Sequence, residues 1–213
     1  YKASGVFNFA QGALVLFAAL TFVSLQAMGL PFWGSLLATL VIMVGMGIAI
    51  ERVVLRPLVN QPPITLFMAT IGLSFFIEGL AQLVWGTEVH GLELGITDEP
   101  FEVAGVFISR FDLFAAGLSA LLVAVLAAFF QYTKLGRALR AVADDHQAAL
   151  SVGIPLQHIW AVVWGVAGFV ALVSGLLWGS RLGVQFALTL VVLKALPVLI
   201  LGGFTSVPGA IVG

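Results

Sequence analysis

Long apolar runs separated by short polar segments dominate the chain. About 20 apolar residues allow a helix to cross the hydrocarbon core of a membrane. Runs of this kind cover 5–29, 32–50, 64–86, 111–130, 159–180 and 188–202, and a further one begins at 207. Because lipid offers the backbone no hydrogen-bond partners, such runs favour helices. The pattern predicts an all-α integral membrane protein, a polytopic helical bundle with interrupted or short helices and about six to seven transmembrane segments.

Two of these runs are irregular. The first carries Asn8, Gln11 and Gly12 near its start, and the sixth contains Pro197 and then a Gly pair at 202–203. Since proline and paired glycines interrupt or end helices, we expect the sixth span to be cut at Pro197 and to stop at the glycines. Interrupted helices at membrane depth are tolerated only against protein or a wet cavity. Both segments are therefore predicted to lie inside the bundle.

Composition agrees with a membrane protein and excludes other classes. The chain is 61% apolar and only 9% charged, with a mean hydropathy of +1.15, whereas about a quarter of the residues of soluble domains are charged. A net charge of -1 argues against nucleic-acid binding. The absence of cysteine excludes disulfides and cysteine-ligated metal. The chain starts at Tyr1 and stops at Gly213 inside an apolar stretch, so we expect a fragment, lacking N- and C-terminal parts, of a single membrane domain over 1–213.

The positions of lysine and arginine predict the orientation. If the N-terminus, 51–63 and 131–158 share one side, that side holds six basic residues and the other side holds two. The six are Lys2, Arg52, Arg56, Lys134, Arg137 and Arg140, and the two are Arg110 and Arg181. Basic residues concentrate in cytoplasmic loops. We therefore expect 131–158 to be a cytoplasmic loop and 87–110 to be an extracytoplasmic one.

Polar side chains inside the apolar runs are candidates for a solute path. They are Asn8, Gln11, Thr70, Ser74, Glu78, Gln82 and Lys194. An ionisable group in hydrocarbon costs on the order of 3 kcal/mol, so Glu78 is expected to face protein or water. The four polar residues from Thr70 to Gln82 recur every fourth position and predict a stripe on one helix. Two interpretations stay open, a pore wall and hydrogen bonding between packed helices.

The loop 131–158 is unusually polar and helix-prone. Basic residues open it, an alanine-rich stretch with Asp144 and Asp145 follows, and Gly153 with Pro155 ends the helical pattern. The pattern predicts a short helix outside the membrane. From composition alone the loop is either an ordinary positive-inside loop with solvated charges or a docking segment for another protein.

Four segments in order along the chain resemble the branched-chain amino-acid (high-affinity, hydrophobic amino acid) ABC transporter permease family. They are NFAQG at 8–12, ERVVLRPL at 51–58, the GRALRA, D, AA and GI pattern at 136–154, and LGGFTSVPGA at 201–210. The resemblance implies an inner-membrane permease subunit, multi-pass and not itself an enzyme. It implies translocation of branched-chain or other apolar amino acids or related small solutes.

The resemblance also gives the 131–158 loop a role. Ala148, Ala149 and, after three further residues, Gly153 resemble the EAA loop of ABC importer permeases, with Gln147 in place of glutamate. In such permeases this loop forms a coupling helix that docks on the cytoplasmic ATPase. The implied contact residues are Arg140, Asp144, Asp145, Gln147, Ala148, Ala149 and Gly153.

Further partners follow from the same resemblance. We expect ATP-binding cassette ATPase subunits, a second permease subunit, and a periplasmic substrate-binding protein that contacts the 87–110 loop. The chain has no Gly-x4-Gly-Lys-Ser/Thr phosphate loop, so ATP is expected on the partner subunit and no cofactor on this chain.

Two other functions compete with this interpretation. One is an ion- or proton-coupled secondary transporter in which Glu78 carries the coupling charge. The other is a passive channel or a structural membrane subunit. Neither would need an ATPase, so the energy source of transport distinguishes them from the ABC permease.

Overall fold

The computed structural model describes residues 7–58, 61–96, 100–103, 106–144, 156–203 and 209. This part contains seven α-helices and one two-stranded antiparallel hairpin. The helices are α1 (Gln11–Ala27), α2 (Phe32–Ile50), α3 (Pro63–Trp85), α4 (Arg110–Tyr132), α5 (Lys134–Asp144), α6 (Leu156–Leu182) and α7 (Val191–Gly202). The strands are β1 (Pro100–Val103) and β2 (Val106–Ser109), with Pro100 opposite Ser109.

The helices confirm the prediction of an all-α membrane protein. Four are long and apolar enough to cross a membrane, namely Phe32–Leu58, Ile64–Trp85, Arg110–Tyr132 and Ile159–Leu182. Two shorter apolar helices, Gln11–Ala27 and Phe186–Gly202, match the first and sixth predicted runs. The run predicted to begin at 207 lies outside the described residues.

Helix α1 is the centre of the bundle. Every residue from Gly12 to Phe22 is buried, and α1 contacts α2, α3, α6 and the 3-10 turn Phe186–Leu190 that precedes α7. A helix that is apolar on all sides is typical of such a central position. Helices α2, α3, α6 and α7 are therefore arranged around the buried surface of α1.

Glycines on α6 allow this close packing. An ideal Cβ built on Gly168 would lie 2.5 Å from the Met43 carbonyl oxygen, and one on Gly175 would lie 2.6 Å from the Val15 carbonyl oxygen. Gly47 of α2 meets the backbone of Trp164 in the same way. Small residues let membrane helices approach until their backbones touch. The glycines thus join α6 to both α1 and α2.

The sixth predicted span differs from expectation at Pro197. The helix α7 runs through Pro197 without a break, so the prediction of a cut there is wrong. Proline inside a membrane helix is tolerated when neighbouring segments satisfy the backbone groups that it frees. The irregularity lies earlier, where the 3-10 turn Phe186–Leu190 gives way to α7. The stop is confirmed, because α7 ends at Gly202 and Gly203 has a φ of 85°.

On the predicted extracytoplasmic side, the loop after α3 is tied to the bundle. His90 and Val184 exchange two backbone hydrogen bonds of 3.0 and 2.8 Å. At the start of α4, the Ser109 hydroxyl accepts a hydrogen bond from the Asp112 amide. Arg181 of α6 pairs with Asp112 across 2.6 Å. These contacts connect the 87–110 loop and the first turn of α4 to the end of α6.

A matched pair of glycine substitutions tests the packing of α6. We expect Gly168→Ala to lower the free energy of unfolding by about 1–3 kcal/mol, because its Cβ would press on the Met43 backbone. In the control Gly117→Ala on α4, the added Cβ meets nothing within 4 Å. This change should raise the free energy of unfolding by up to about 1 kcal/mol, because alanine favours a helix more than glycine does. Thermal unfolding in detergent measures both, and equal effects would contradict the packing argument.

Candidate functional site

Polar side chains meet where the chain enters α1. The Asn8 side-chain amide donates to the Gln11 Oε1 across 3.1 Å, and the Gln11 Nε2 donates to the Ala167 carbonyl across 3.0 Å. Gln11 thereby bonds the first turn of α1 to the middle of α6. This is a direct contact between the first and fifth predicted spans.

Thr70 of α3 bonds to the backbone on both sides of Asn8. Its hydroxyl accepts from the Phe9 amide at 3.4 Å and lies 3.3 Å from the Phe7 carbonyl and 2.8 Å from the Phe67 carbonyl. Thr70 is only 2% exposed, and the rings of Phe9 and Phe67 pack edge to face at 5.0 Å. Asn8, Gln11 and Thr70 are called the entry junction below. The structure brings these three candidate path residues together.

The remainder of the predicted polar stripe does not join them. The Ser74 hydroxyl donates to the Glu78 carboxylate across 3.3 Å, and both residues are half-buried. Gln82 is exposed. A helix advances by 3.6 residues per turn, so a four-residue repeat rotates by about 40° at each step. From Thr70 to Gln82 the polar positions therefore turn by about a third of the helix circumference.

One hydrogen-bond acceptor of the entry junction, the Asn8 side-chain oxygen, is not used within the described residues. The Asn8 Oδ1 is buried and has no hydrogen-bond partner among the described residues. An unsatisfied buried acceptor costs about 1–3 kcal/mol. Chemically, this oxygen can accept from an amide or ammonium group, whereas the amide and hydroxyl groups around it carry no charge to neutralise a carboxylate. Within the described ranges, no three histidine, aspartate or glutamate side chains could hold a metal ion.

An ion pair with a buried carboxylate was missed from the sequence, where Arg56 counted only towards orientation. Glu51 is 1% exposed, and its carboxylate accepts from the Arg56 Nε and Nη2, each at 3.2 Å. After α2 the chain continues as a π-helical turn, Glu51–Leu55, which aligns residues five apart. In an α-helix these two side chains would point in different directions. Their place within ERVVLRPL, one of the four family-like segments, was the available signal.

The 131–158 loop contains a helix, α5, as predicted. The predicted helix end at Gly153 and Pro155 lies outside the described residues, and a position outside the membrane stays a prediction. Leu139 and Val142 are buried, whereas Arg137 and Arg140 are exposed. The Arg140 guanidinium donates to the Gln131 carbonyl at the end of α4. The backbone of Asp144 ends α5. Most predicted coupling residues, namely Asp145, Gln147, Ala148, Ala149 and Gly153, lie outside the described residues.

An apolar cavity of about 540 Å³ lies between α2 and α3. Met46, Ile50, Phe76 and Leu80 are among the residues that line it. Its lining offers dispersion contacts and no polar side chain to the charged ends of an amino acid. The cavity is therefore separate in character from the entry junction.

The whole chain, residues 1–213, matches the family model described as branched-chain amino acid transport system / permease component. The high-affinity branched-chain amino acid transport system permease protein LivH of Salmonella typhimurium is 27% identical over 231 residues, covering 100% of this chain and 74% of that protein. LivH of Escherichia coli K12 and the corresponding permease BraD of Pseudomonas aeruginosa are each 26% identical with the same coverage. No solved structure matches the chain.

Replacing one hydroxyl group tests the entry junction. Thr70→Val keeps the shape of the side chain and removes its bonds to the 7–9 segment, so we expect a loss of about 1 kcal/mol in unfolding free energy. Thr39→Val is the control, because the Thr39 hydroxyl bonds only to Ser35 of its own helix in the described contacts. Both variants are compared by thermal unfolding in detergent. A loss at Thr39 as large as that at Thr70 would contradict the role of the inter-helix bond.

Removing one partner tests the Glu51–Arg56 ion pair. Arg56→Gln leaves the Glu51 carboxylate buried and uncompensated, which should cost about 1–3 kcal/mol, because Arg56 is 38% exposed and water already screens part of the interaction. Arg52→Gln removes an exposed neighbouring charge and should cost less than about 0.5 kcal/mol. The double variant Glu51→Gln with Arg56→Gln should be less destabilised than Arg56→Gln alone, since no buried charge remains. The three unfolding free energies decide this, and a double variant at least as unstable as Arg56→Gln would refute it.

Proposed function

The chain belongs to the family of branched-chain amino acid transport permease components, and on this basis we propose that it is the membrane-spanning subunit of an ABC importer. The solutes are branched-chain or other apolar amino acids, or related small carboxylates and amides, carried inward across the bacterial inner membrane. The observation that carries the proposal is the family match over all 213 residues. The all-α bundle with its buried central helix supports it.

The proposed subunit works with three kinds of partner. Cytoplasmic ATP-binding cassette subunits hydrolyse ATP and dock on the 131–158 loop, a second permease subunit completes the membrane unit, and a periplasmic binding protein delivers the solute near 87–110. The absence of a phosphate loop in this sequence supports the assignment of ATP to another subunit. This chain then contributes the path and the docking segment.

The proposed path passes the entry junction. Asn8 and Gln11 lie just before and at the start of α1, a helix that is buried from Gly12 to Phe22. The buried Asn8 oxygen has no hydrogen-bond partner among the described residues, and we propose that it accepts from an N–H group of the solute when the path opens. Ser74 and Glu78 form a second polar pair on the same helix as Thr70. Gln82 is exposed on the surface of this chain, so we propose that it faces the second permease or the mouth of the path.

The proposed docking segment follows α5. Small side chains at Ala148 and Ala149 permit close approach of the ATPase, and Gly153 permits a tight turn. Asp144, Asp145 and Gln147 supply polar contacts, and Arg140 stands at the start of the segment. Secondary transport driven through Glu78 is the competing function, favoured by the half-buried position of that carboxylate.

Reconstitution separates the two functions. The full-length chain, its companion permease and the ATPase subunits are placed in proteoliposomes with ATP inside, and leucine with its binding protein is supplied outside. We expect uptake that requires ATP and survives an uncoupler, because the ATPase supplies the energy. Uptake that is abolished by the uncoupler and persists without ATP would refute the proposal.

A matched pair of substitutions locates the coupling. Ala149→Arg should reduce both ATPase co-purification and ATP-driven uptake by at least about tenfold, equivalent to 1.4 kcal/mol of docking free energy. Ala141→Arg places the same side chain on the exposed face of α5 and should leave both measurements near the parent values. Normal assembly and uptake in Ala149→Arg would show that the segment does not couple.

A further inference from the structure

The C-terminal end of α4 is held by residues that follow it. The last four carbonyls of any helix lack intrahelical partners. In α4, the Phe129 carbonyl accepts from the Thr133 amide at 3.2 Å and from its hydroxyl at 2.7 Å. The Tyr132 carbonyl accepts from the Arg137 Nη1, and the Gln131 carbonyl accepts from the Arg140 Nη2, each at 3.2 Å. Two arginines of α5 thus serve as caps for α4.

The turn between the helices is closed as well. The Thr133 hydroxyl accepts from the Gly136 amide at 2.9 Å, and the Thr133 carbonyl accepts from the Arg137 amide at 3.1 Å. Gly136 lies so close to α4 that an ideal Cβ would stand 2.5 Å from the Phe129 carbonyl oxygen. Thr133 therefore caps the end of α4 and the start of α5, and it is the single residue between the two helices.

Helix α4 depends on this turn for its position. Among the described elements, α4 makes its main contacts with α5 and β2, and its hydrophobic stretch is 0% buried. At its other end, the Asp112–Arg181 pair joins it to α6. Helix α5 in turn contacts α6 and buries Leu139 and Val142. The α4–α5 turn is thus the described link between α4 and the cytoplasmic side of the bundle.

The charge of the two arginines suits their place. The C-terminal end of a helix carries partial negative charge, so cations there are stabilising, more so when they also donate hydrogen bonds to the carbonyls. Lys134 carries the same charge on the same helix, yet it makes no hydrogen bond or ion pair within the described part of the chain. Charge alone is therefore not what distinguishes Arg137 and Arg140.

We propose that Arg137 and Arg140 are positioning residues that fasten α5 to the carbonyl end of α4, so that a displacement of the segment after α5 moves α4 with it. The inference rests on the proposed function, because it takes 145–153 to be the segment that the ATPase displaces. Without the two arginines, the turn at Thr133 acts as a hinge and absorbs part of the displacement. In this role Arg140 acts on α4 rather than on the ATPase.

The distance between spin labels on α4 and α5 measures how rigidly the two helices are connected. Residues 1–213 contain no cysteine, so within this part labels attach only at introduced sites, and any cysteine elsewhere in the full-length protein is first replaced by serine. Ala120→Cys on α4 with Ala141→Cys on α5 uses two exposed positions. We expect the double variant Arg137→Ala, Arg140→Ala to broaden the distribution of distances between the labels in the full-length protein. Lys134→Ala should leave it unchanged, and Arg137→Lys with Arg140→Lys should restore much of it, because ammonium groups also donate to carbonyls.

Transport in the reconstituted complex gives the functional readout. In the single variant Arg137→Ala, which removes a cap that is not among the proposed docking residues, we expect uptake per ATP hydrolysed to fall about twofold, the effect of losing one cation at a helix end, while ATPase binding and hydrolysis remain. An unchanged distance distribution overturns the proposal. Loss of ATPase binding with an unchanged distribution would assign the arginines to the ATPase instead. If the parent complex shows no ATP-driven uptake, the proposed function fails. The spin-label distances still decide whether Arg137 and Arg140 fasten α5 to α4.

Discussion

The close approach of helix backbones around α1 is the contact on which the rest of the fold depends. Lipid tails are as apolar as the side chains of α1, so burial of apolar surface alone does not drive helices together in a membrane. Packing must come from van der Waals contact, and α6 achieves it by placing Gly168 against α2 and Gly175 against α1. Gly12 of α1 meets the backbone of Thr189 in the same way. Glycine at these positions lets α1 touch α6 and the 3-10 turn before α7, and lets α6 touch α2.

Hydrogen bonds between polar side chains and neighbouring helices add to the glycine-mediated packing. Gln11 bonds α1 to α6, Thr70 bonds the entry to α1 to α3, and the Trp85 ring nitrogen donates to the Ser24 hydroxyl at the opposite end of α1. Gln11 and Thr70 were candidates for a solute path, and in the structure both make hydrogen bonds between helices or to the segment before α1. Their place on a path stays a prediction.

The sequence predicts the six apolar helices well because each needs only a run of suitable length, a property of composition. It predicts side-chain geometry less well, since small departures from helical regularity decide it. Polar residues spaced four apart drift around a helix of 3.6 residues per turn, so Gln82 does not lie on the same face of α3 as Thr70. A π-helical turn brought Glu51 to Arg56 at a spacing that an α-helix keeps apart. Pro197 reads as a break, yet α7 continues through it. The coupling residues after Asp144 stay a prediction.

The contacts of α5 connect two parts of the molecule that the sequence analysis singled out separately, the 131–158 loop and the entry junction. Its arginines hold the end of α4, and its buried Leu139 and Val142 lie on a helix that also touches α6. Helix α6 carries the Ala167 carbonyl that Gln11 bonds, so described contacts run without a gap from α5 to the entry junction. A rigid α5 would therefore act on α4 and α6 together, whereas a hinged α5 would act on α6 alone. The arginine caps decide which of these two mechanical arrangements the permease has.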